Sequence, residues 1–242
     1  MQELAVLAAS AMATQRRFTA VADNIANANT DGYRKIDVQF KEIISRPNGH
    51  STASYVEDRG LVVDFSGGSL RRTGNPMDVA LGSEGFFAVQ TEGGDIRYTR
   101  RGAFVVNSEG ELTTPQGLPV LDNANAPIQI PQNSGVLAIA RDGTISTREG
   151  QIAQIGVFTF SKEDQNQLLR EGDGTFTATQ GGANVAESPM IMQGFVESSN
   201  VNAVKEMTDM QMVSKAYQRS LTLMRGIEQI EQRAIRTLGE TQ

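Results

Sequence analysis

Cysteine and tryptophan are absent from this chain of 242 residues, and it holds a single histidine. Without cysteine there is no disulfide, no thiolate metal site and no thiol nucleophile. The histidine, His50, lies in the polar stretch RPNGHSTAS and has no second histidine or cysteine with which to share a metal, so it reads as a solvated loop residue. Long apolar runs are also missing: none approaches the roughly 20 residues that a membrane helix needs. Nor is there an excess of positive charge. Lys and Arg total 22 against 28 Asp and Glu, a net charge of −6, which disfavours a general nucleic-acid binder.

The signatures of common active sites are missing too. Gly82-Ser83-Glu84-Gly85 falls one residue short of a nucleophile turn, and no histidine stands near it as base. No phosphate-binding loop and no Gly-x-Gly-x-x-Gly after a strand occurs. Asp142, Asp164 and Asp173 sit in turns without calcium-loop spacing. The expectation is no enzyme, no cofactor and no metal.

What the chain does have is helical periodicity at both ends. The stretch Ser199–Leu238 carries no proline. Its apolar positions step by three and four in two offset seams. One runs Met207, Met210, Ser214, Tyr217, Leu221, Met224; the other runs Val213, Ala216, Ser220, Leu223, Ile227, Ile230, Ala234. About 40 residues at roughly 1.5 Å each make a rod of about 60 Å. One seam is expected to face a helix of the same chain and the other to face neighbouring subunits. At the opposite end Leu4, Leu7, Ala11, Thr14, Phe18, Val21 and Ile25 show the same stepping, which predicts a second amphipathic helix of about 25 residues. It ends in DNIANANTDGYRK, where asparagine competes with the helix for backbone hydrogen bonds and Gly32 is free to take positive φ. Asn24, Asn27, Asn200 and Asn202 are expected to satisfy backbone groups where the two helices end.

The run Leu4–Ala13 resembles the core of a signal peptide. It lacks a basic segment before it, carries Glu3 there, and its arginines follow it, so no cleaved leader is expected.

Between the helices, residues 36–75 read as an extended arm with one or two strands, expected to be partly mobile around Pro47–Ser54. Residues 76–195 read as β. Short runs such as GFFAVQ, IRYTRRGAFVV and IAQIGVFTF alternate with turns such as Arg141-Asp142-Gly143-Thr144. This punctuation predicts an antiparallel sandwich or barrel-like domain. The fold expected is α+β: N- and C-terminal helices (1–35 and 196–242) paired as a coiled coil, with an extended arm and an inserted antiparallel β domain. Charge agrees with this division. Residues 1–40 and 197–242 each sum to zero, so the whole −6 lies in 41–196. Neutral ends can stack on copies of themselves, and a charged middle keeps the rest soluble.

The motifs also carry a resemblance. VADNIANANTDGYRK resembles the segment that opens the axial proteins of the bacterial flagellar rod and hook, and SNVNAVKEMTDMQMVSKAYQRS resembles the segment that closes them. GGSLRRTGNPMDVALGSEGFFAVQ and YTRRGAFVVNSEGELTTPQGLPVL look like the central domain of the rod members, most like the proximal-rod type with the distal-rod type a close second. Asp23 and Asp31 depart from the residues common in that family. The resemblance implies a structural subunit of the basal-body rod, a hollow periplasmic shaft that passes torque from motor to hook. It implies export by the flagellar type III apparatus, and as partners further copies of the chain and other axial proteins. The assembly residues then expected are Leu4, Leu7, Phe18, Val21, Asn24, Ile25, Asn27, Gly32, Asn200, Asn202, Met207, Met210, Tyr217, Leu221, Met224, Ile227 and Ile230. The alternative is a soluble binding or scaffold module, a β domain on a dimeric coiled coil.

Overall fold

The computed structural model describes residues 2–45, 53–131, 135, 137–179 and 182–239; His50 and most of the stretch Pro47–Ser54 lie outside the described residues. The chain falls into two compact units. One contains the described residues within Met1–Asn27, Lys35–Asp64 and Val201–Gln242, and the other contains those within Ala28–Arg34 and Phe65–Asn200. Residues 36–75 are therefore divided, with 36–64 in the helical unit and 65–75 in the β unit.

In the helical unit, α1 (Gln2–Ala26) packs against α3 (Ala203–Gly239). The first is rich in alanine, the best helix former, and stops where asparagines cluster. The second is opened by Asn202, whose Oδ1 accepts from the Lys205 N–H at 3.1 Å and whose backbone carbonyl accepts from the Glu206 N–H at 3.0 Å. Packed against α1 is an antiparallel ribbon of β1 (Ile36–Ser45) and β2 (Ala53–Val63), with Ile36 opposite Val63 and a register shift between Val38 and Phe40. Ala53 and Ser54 belong to the second strand. The base of the ribbon is held by apolar packing of Ala20, Ile36 and Val38, with Val63 against them.

The β unit begins with β3 (Leu70–Arg72), β4 (Val79–Leu81), β5 (Phe86–Gln90), β6 (Ile96–Thr99), β7 (Val105–Val106) and β8 (Leu112–Thr113). It continues with β9 (Ala138–Ile139), β10 (Thr144–Thr147), β11 (Gly150–Gln154) and β12 (Val157–Thr159). One turn of helix, α2 (Lys162–Gln165), is capped by the Ser161 hydroxyl. Then come β13 (Leu168–Arg170), β14 (Phe176–Ala178), β15 (Asn184–Val185), β16 (Ile191–Gln193) and β17 (Phe195–Glu197).

The largest sheet has the order β13-β14-β6-β5-β12-β15, and every pairing in it is antiparallel. A sheet ordered β11-β10-β9 and several two-stranded ladders complete the unit, linked by isolated bridges such as Val89 with Val120. Turn residues recur so often that strands stay short, and short ladders meet at bridges rather than forming two long facing sheets. The core gathers Val79, Phe87, Val89, Phe104, Leu112, Val120, Ile145, Ile155 and Ile191. A second packing centre is aromatic: Phe65, Phe86 and Phe176 meet edge to face, and Phe160 joins Phe86 to Tyr98.

Candidate assembly site

On α1 the residues Ala11 and Val21 are buried, and Thr14, Phe18 and Ile25 are half-buried. These are positions of the stripe read from the sequence; Leu4 and Leu7 lie on the same helix, with side chains outside the described set. On α3 the covered positions are Glu206, Met210, Val213, Tyr217, Ser220, Met224 and Ile227, stepping by four and three without a break. That line takes residues alternately from the two seams of the sequence, so neither seam is wholly inward or wholly outward. Leu221 and Ser214 are half-buried beside it. Left in solvent on α3 are Val204 (75 % exposed), Met207 (53 %), Met212 (55 %), Leu223 (58 %) and Ile230 (67 %). Isolated exposed apolar residues are ordinary, but five on one helix leave it with large uncovered area.

Two grooves lie along the helices. One, of about 590 Å³, is lined by Phe18, Met207, Met210, Ser214 and Gln218 among others. The other, of about 470 Å³, is lined by residues including Ala13, Thr14, Met212, Val213 and Ala216.

Where α1 ends, Asn24 is buried and fully used. Its Nδ2 donates to the Ile36 carbonyl at 2.8 Å and to Glu206 Oε2 at 3.1 Å, and its Oδ1 accepts the Ile36 N–H at 2.9 Å. Glu206, also buried, receives the Lys35 ammonium at 2.7 Å. Burial depresses the Lys35 pKa, but the hydrogen bond and the charge of Glu206, with Asp37 and Asp209 beyond, reverse this and hold it above the usual lysine value. Asn27 donates to the Asp23 carbonyl at 2.9 Å, inside its own helix end.

The β unit has a buried charge cluster of its own. Glu197 Oε1 accepts from Arg34 Nη2 at 2.6 Å and from the Gly68 N–H at 2.8 Å, and Oε2 accepts from Arg100 Nε at 2.8 Å. Arg100 also donates to the carbonyls of Ser83 and Gly85. The Glu197 carbonyl accepts the Gly32 N–H at 2.6 Å. Gly32 has φ +70°, and a Cβ there would stand 2.6 Å from the Arg101 nitrogen, so neither the backbone nor the space admits a side chain. Asn200 donates to the Ser66 carbonyl at 3.1 Å.

Sequence reading missed Glu197, Arg34, Arg100, Glu206 and Lys35, which entered only as counted charges. No local signal marks them; their partners are 97 to 182 residues away. Among the described residues, no group of histidines and carboxylates could hold a metal ion, and no helix is long and apolar enough to cross a membrane.

The molecule has relatives on all of its parts. Residues 4–34 match the family described as flagella basal body rod protein, residues 80–147 the D1 domain of flagellar hook protein FlgE/F/G, and residues 192–237 the C-terminal segment of the flagellar basal body rod FlgEFG protein. The flagellar basal-body rod protein FlgF of Mesorhizobium japonicum is 36 % identical over 242 residues, with 99 % of each chain covered. The FlgF of Salmonella typhimurium is 33 % identical, with 96 % of this chain and 95 % of the relative covered. The flagellar basal-body rod protein FlgG of Agrobacterium fabrum is 33 % identical, with 90 % and 92 % covered. With relatives 33–36 % identical along nearly the whole of its length, the chain belongs to the family of flagellar basal-body rod proteins.

Proposed function

We propose that this chain is a structural subunit of the flagellar basal-body rod, that it polymerises through its terminal helices into a hollow periplasmic shaft, and that the shaft carries torque from motor to hook. The observation that carries the reading is the uncovered apolar area of α3 at Met207, Met212, Leu223 and Ile230. Each helix has a line of covered positions stepping by three and four, Ala11 to Ile25 on α1 and Met210 to Ile227 on α3, the spacing of a coiled-coil seam, and this supports α1 and α3 pairing as a coiled coil within a subunit. The exposed residues then belong to contacts with further copies and with other axial proteins. A side chain of this size contributes about 1.5–3 kcal/mol when fully buried, so many such contacts along stacked helices make a stiff shaft from modest terms. The family is structural, and the chain is not an enzyme. The subunit leaves the cell through the flagellar type III apparatus with its N-terminus uncleaved, and the ribbon serves as the arm.

The test is assembly of purified chain, followed by sedimentation, with Leu223→Asp and Ile230→Asp beside wild type. Both variants should keep the helix content of wild type and fail to form large assemblies. A wild-type chain that stops at a fixed small oligomer would move the reading to a scaffold module on a private coiled coil.

A further inference from the structure

The chain passes between its two compact units at four places: after Asn27, after Arg34, after Asp64 and after Asn200. Each charge cluster includes residues next to those crossings, although Arg100, the second cation on Glu197, lies elsewhere in the β unit. In the β unit, Glu197 holds Arg34, the Gly68 N–H and, through its carbonyl, the Gly32 N–H. In the helical unit, Glu206 holds Lys35 and Asn24, Asn24 holds both backbone groups of Ile36, and the Lys35 carbonyl accepts the Asp64 N–H at 2.8 Å. Arg34 and Lys35 are consecutive, yet one is held by a carboxylate of the β unit and the other by a carboxylate of the helical unit.

From this arrangement we infer that Arg34-Lys35 is a two-way clasp, in which adjacent cations are anchored to Glu197 within the β unit and to Glu206 within the helical unit, so that load carried along this segment enters each unit at an ion pair with a buried carboxylate. Neither cluster touches a candidate assembly groove. Arg34 is 2 % exposed and Glu197 2 %, so the pair is screened from salt far better than a surface pair. Arg34 meets the shared carboxylate through Nη2 alone, while Arg100 takes the other oxygen. Lys35, more exposed, meets Glu206 in the first turn of α3, where the helix dipole already favours a negative charge. The clasp itself stands on the geometry alone; its load-bearing role rests on the rod-subunit reading.

The experiment is amide hydrogen exchange on the full-length chain with two conservative variants. Glu197→Gln should accelerate exchange at Gly32, Gly68 and Ser198 by about tenfold or more, the scale expected when a buried pair loses one charge. It should leave Val120 in the β core and Ile36 in the helical unit at wild-type rates. Lys35→Gln should do the reverse, accelerating Ile36, Asp64 and Glu206 and sparing the β-unit amides. In cells whose own rod subunit is replaced, the double variant Arg34→Gln/Lys35→Gln should build rods but swim at least about twofold more slowly than wild type as viscosity is raised. The clasp is overturned if the variants leave these amides unchanged, or if each accelerates core amides in both units alike. Equal swimming of double variant and wild type at high viscosity overturns the load-bearing role. Failure of the wild-type chain itself to support a rod would count against the rod reading, while the exchange pattern would still decide the clasp.

Discussion

Replacing Asn24 with alanine isolates a single junction. The amide makes three hydrogen bonds in a site where 1 % of the residue is exposed. Alanine removes all of them and leaves the Ile36 N–H and C=O buried without these partners. A buried backbone group stranded in this way costs about 1–3 kcal/mol, so the two together put the loss at about 2–6 kcal/mol. The Glu206 carboxylate also loses a donor, although Lys35 still faces it at 2.7 Å. Asn166 is the control, an exposed residue at the end of α2. Its substitution should stay within about 0.5 kcal/mol of wild type. The assay is thermal and urea unfolding followed by the far-ultraviolet helix signal, with motility of complemented cells as the second readout. Asn24→Ala should lower the midpoint and weaken motility. If both variants unfold together and swim alike, the hydrogen bonds read from the geometry do not set the junction between α1 and β1.

The remaining tests are smaller. Gly32→Ala combines left-handed backbone strain of about 1–2 kcal/mol with a clash against the Arg100–Arg101 backbone, whereas Gly74→Ala (φ +75°, no atom within 4 Å) carries strain alone. Chemical denaturation should therefore rank Gly32→Ala as clearly the worse of the two. Val213→Asp buries a charge on the covered line of α3 and should lose helix content, while Ile230→Asp should keep the helix and lose assembly; circular dichroism with sedimentation separates them. Because the Lys35 pKa is raised in the fold, its ion pair with Glu206 stabilises fully below the ordinary lysine value of about 10.4 and is lost as pH rises through the higher folded value. The stability gap between wild type and Lys35→Gln should accordingly be constant from neutral pH to about 10 and close above it.

Periodicity made the helices legible, because a stripe from Ala11 to Ile25 and one from Met210 to Ile227 need only local spacing to be seen. It did not show which stripe on α3 is covered. Serine and methionine tolerate half-burial, so Ser214 in one seam and Ser220 in the other did not rank the two, and only the partner helix chooses between them. Runs such as GFFAVQ gave the strands, since β-branched and aromatic residues between turns have few other uses. The pairing of β3 with β17 was not visible, because Leu70, Arg71 and Arg72 are exposed and carry no alternation. The asparagines drew attention through their poor fit to a helix interior. Glu206, the partner of Asn24, and Glu197, the partner of Arg34 and Arg100, did not, since a carboxylate on a mostly polar helix or strand looks the same whether it faces water or a buried cation or amide.

The separation between the partners also bears on when the molecule can finish folding. Arg34 meets Glu197 across 163 residues and Asn24 meets Glu206 across 182. Closing loops of this length costs about 4–5 kcal/mol of chain entropy before either contact can return anything. A chain is made N-terminal end first, so Asn24, Arg34 and Lys35 exist long before their carboxylates do. The opening helix and the first turn after it therefore cannot mature early. They wait, open and unsatisfied, until the last fifth of the sequence arrives, and folding at the two chain ends becomes a single late event.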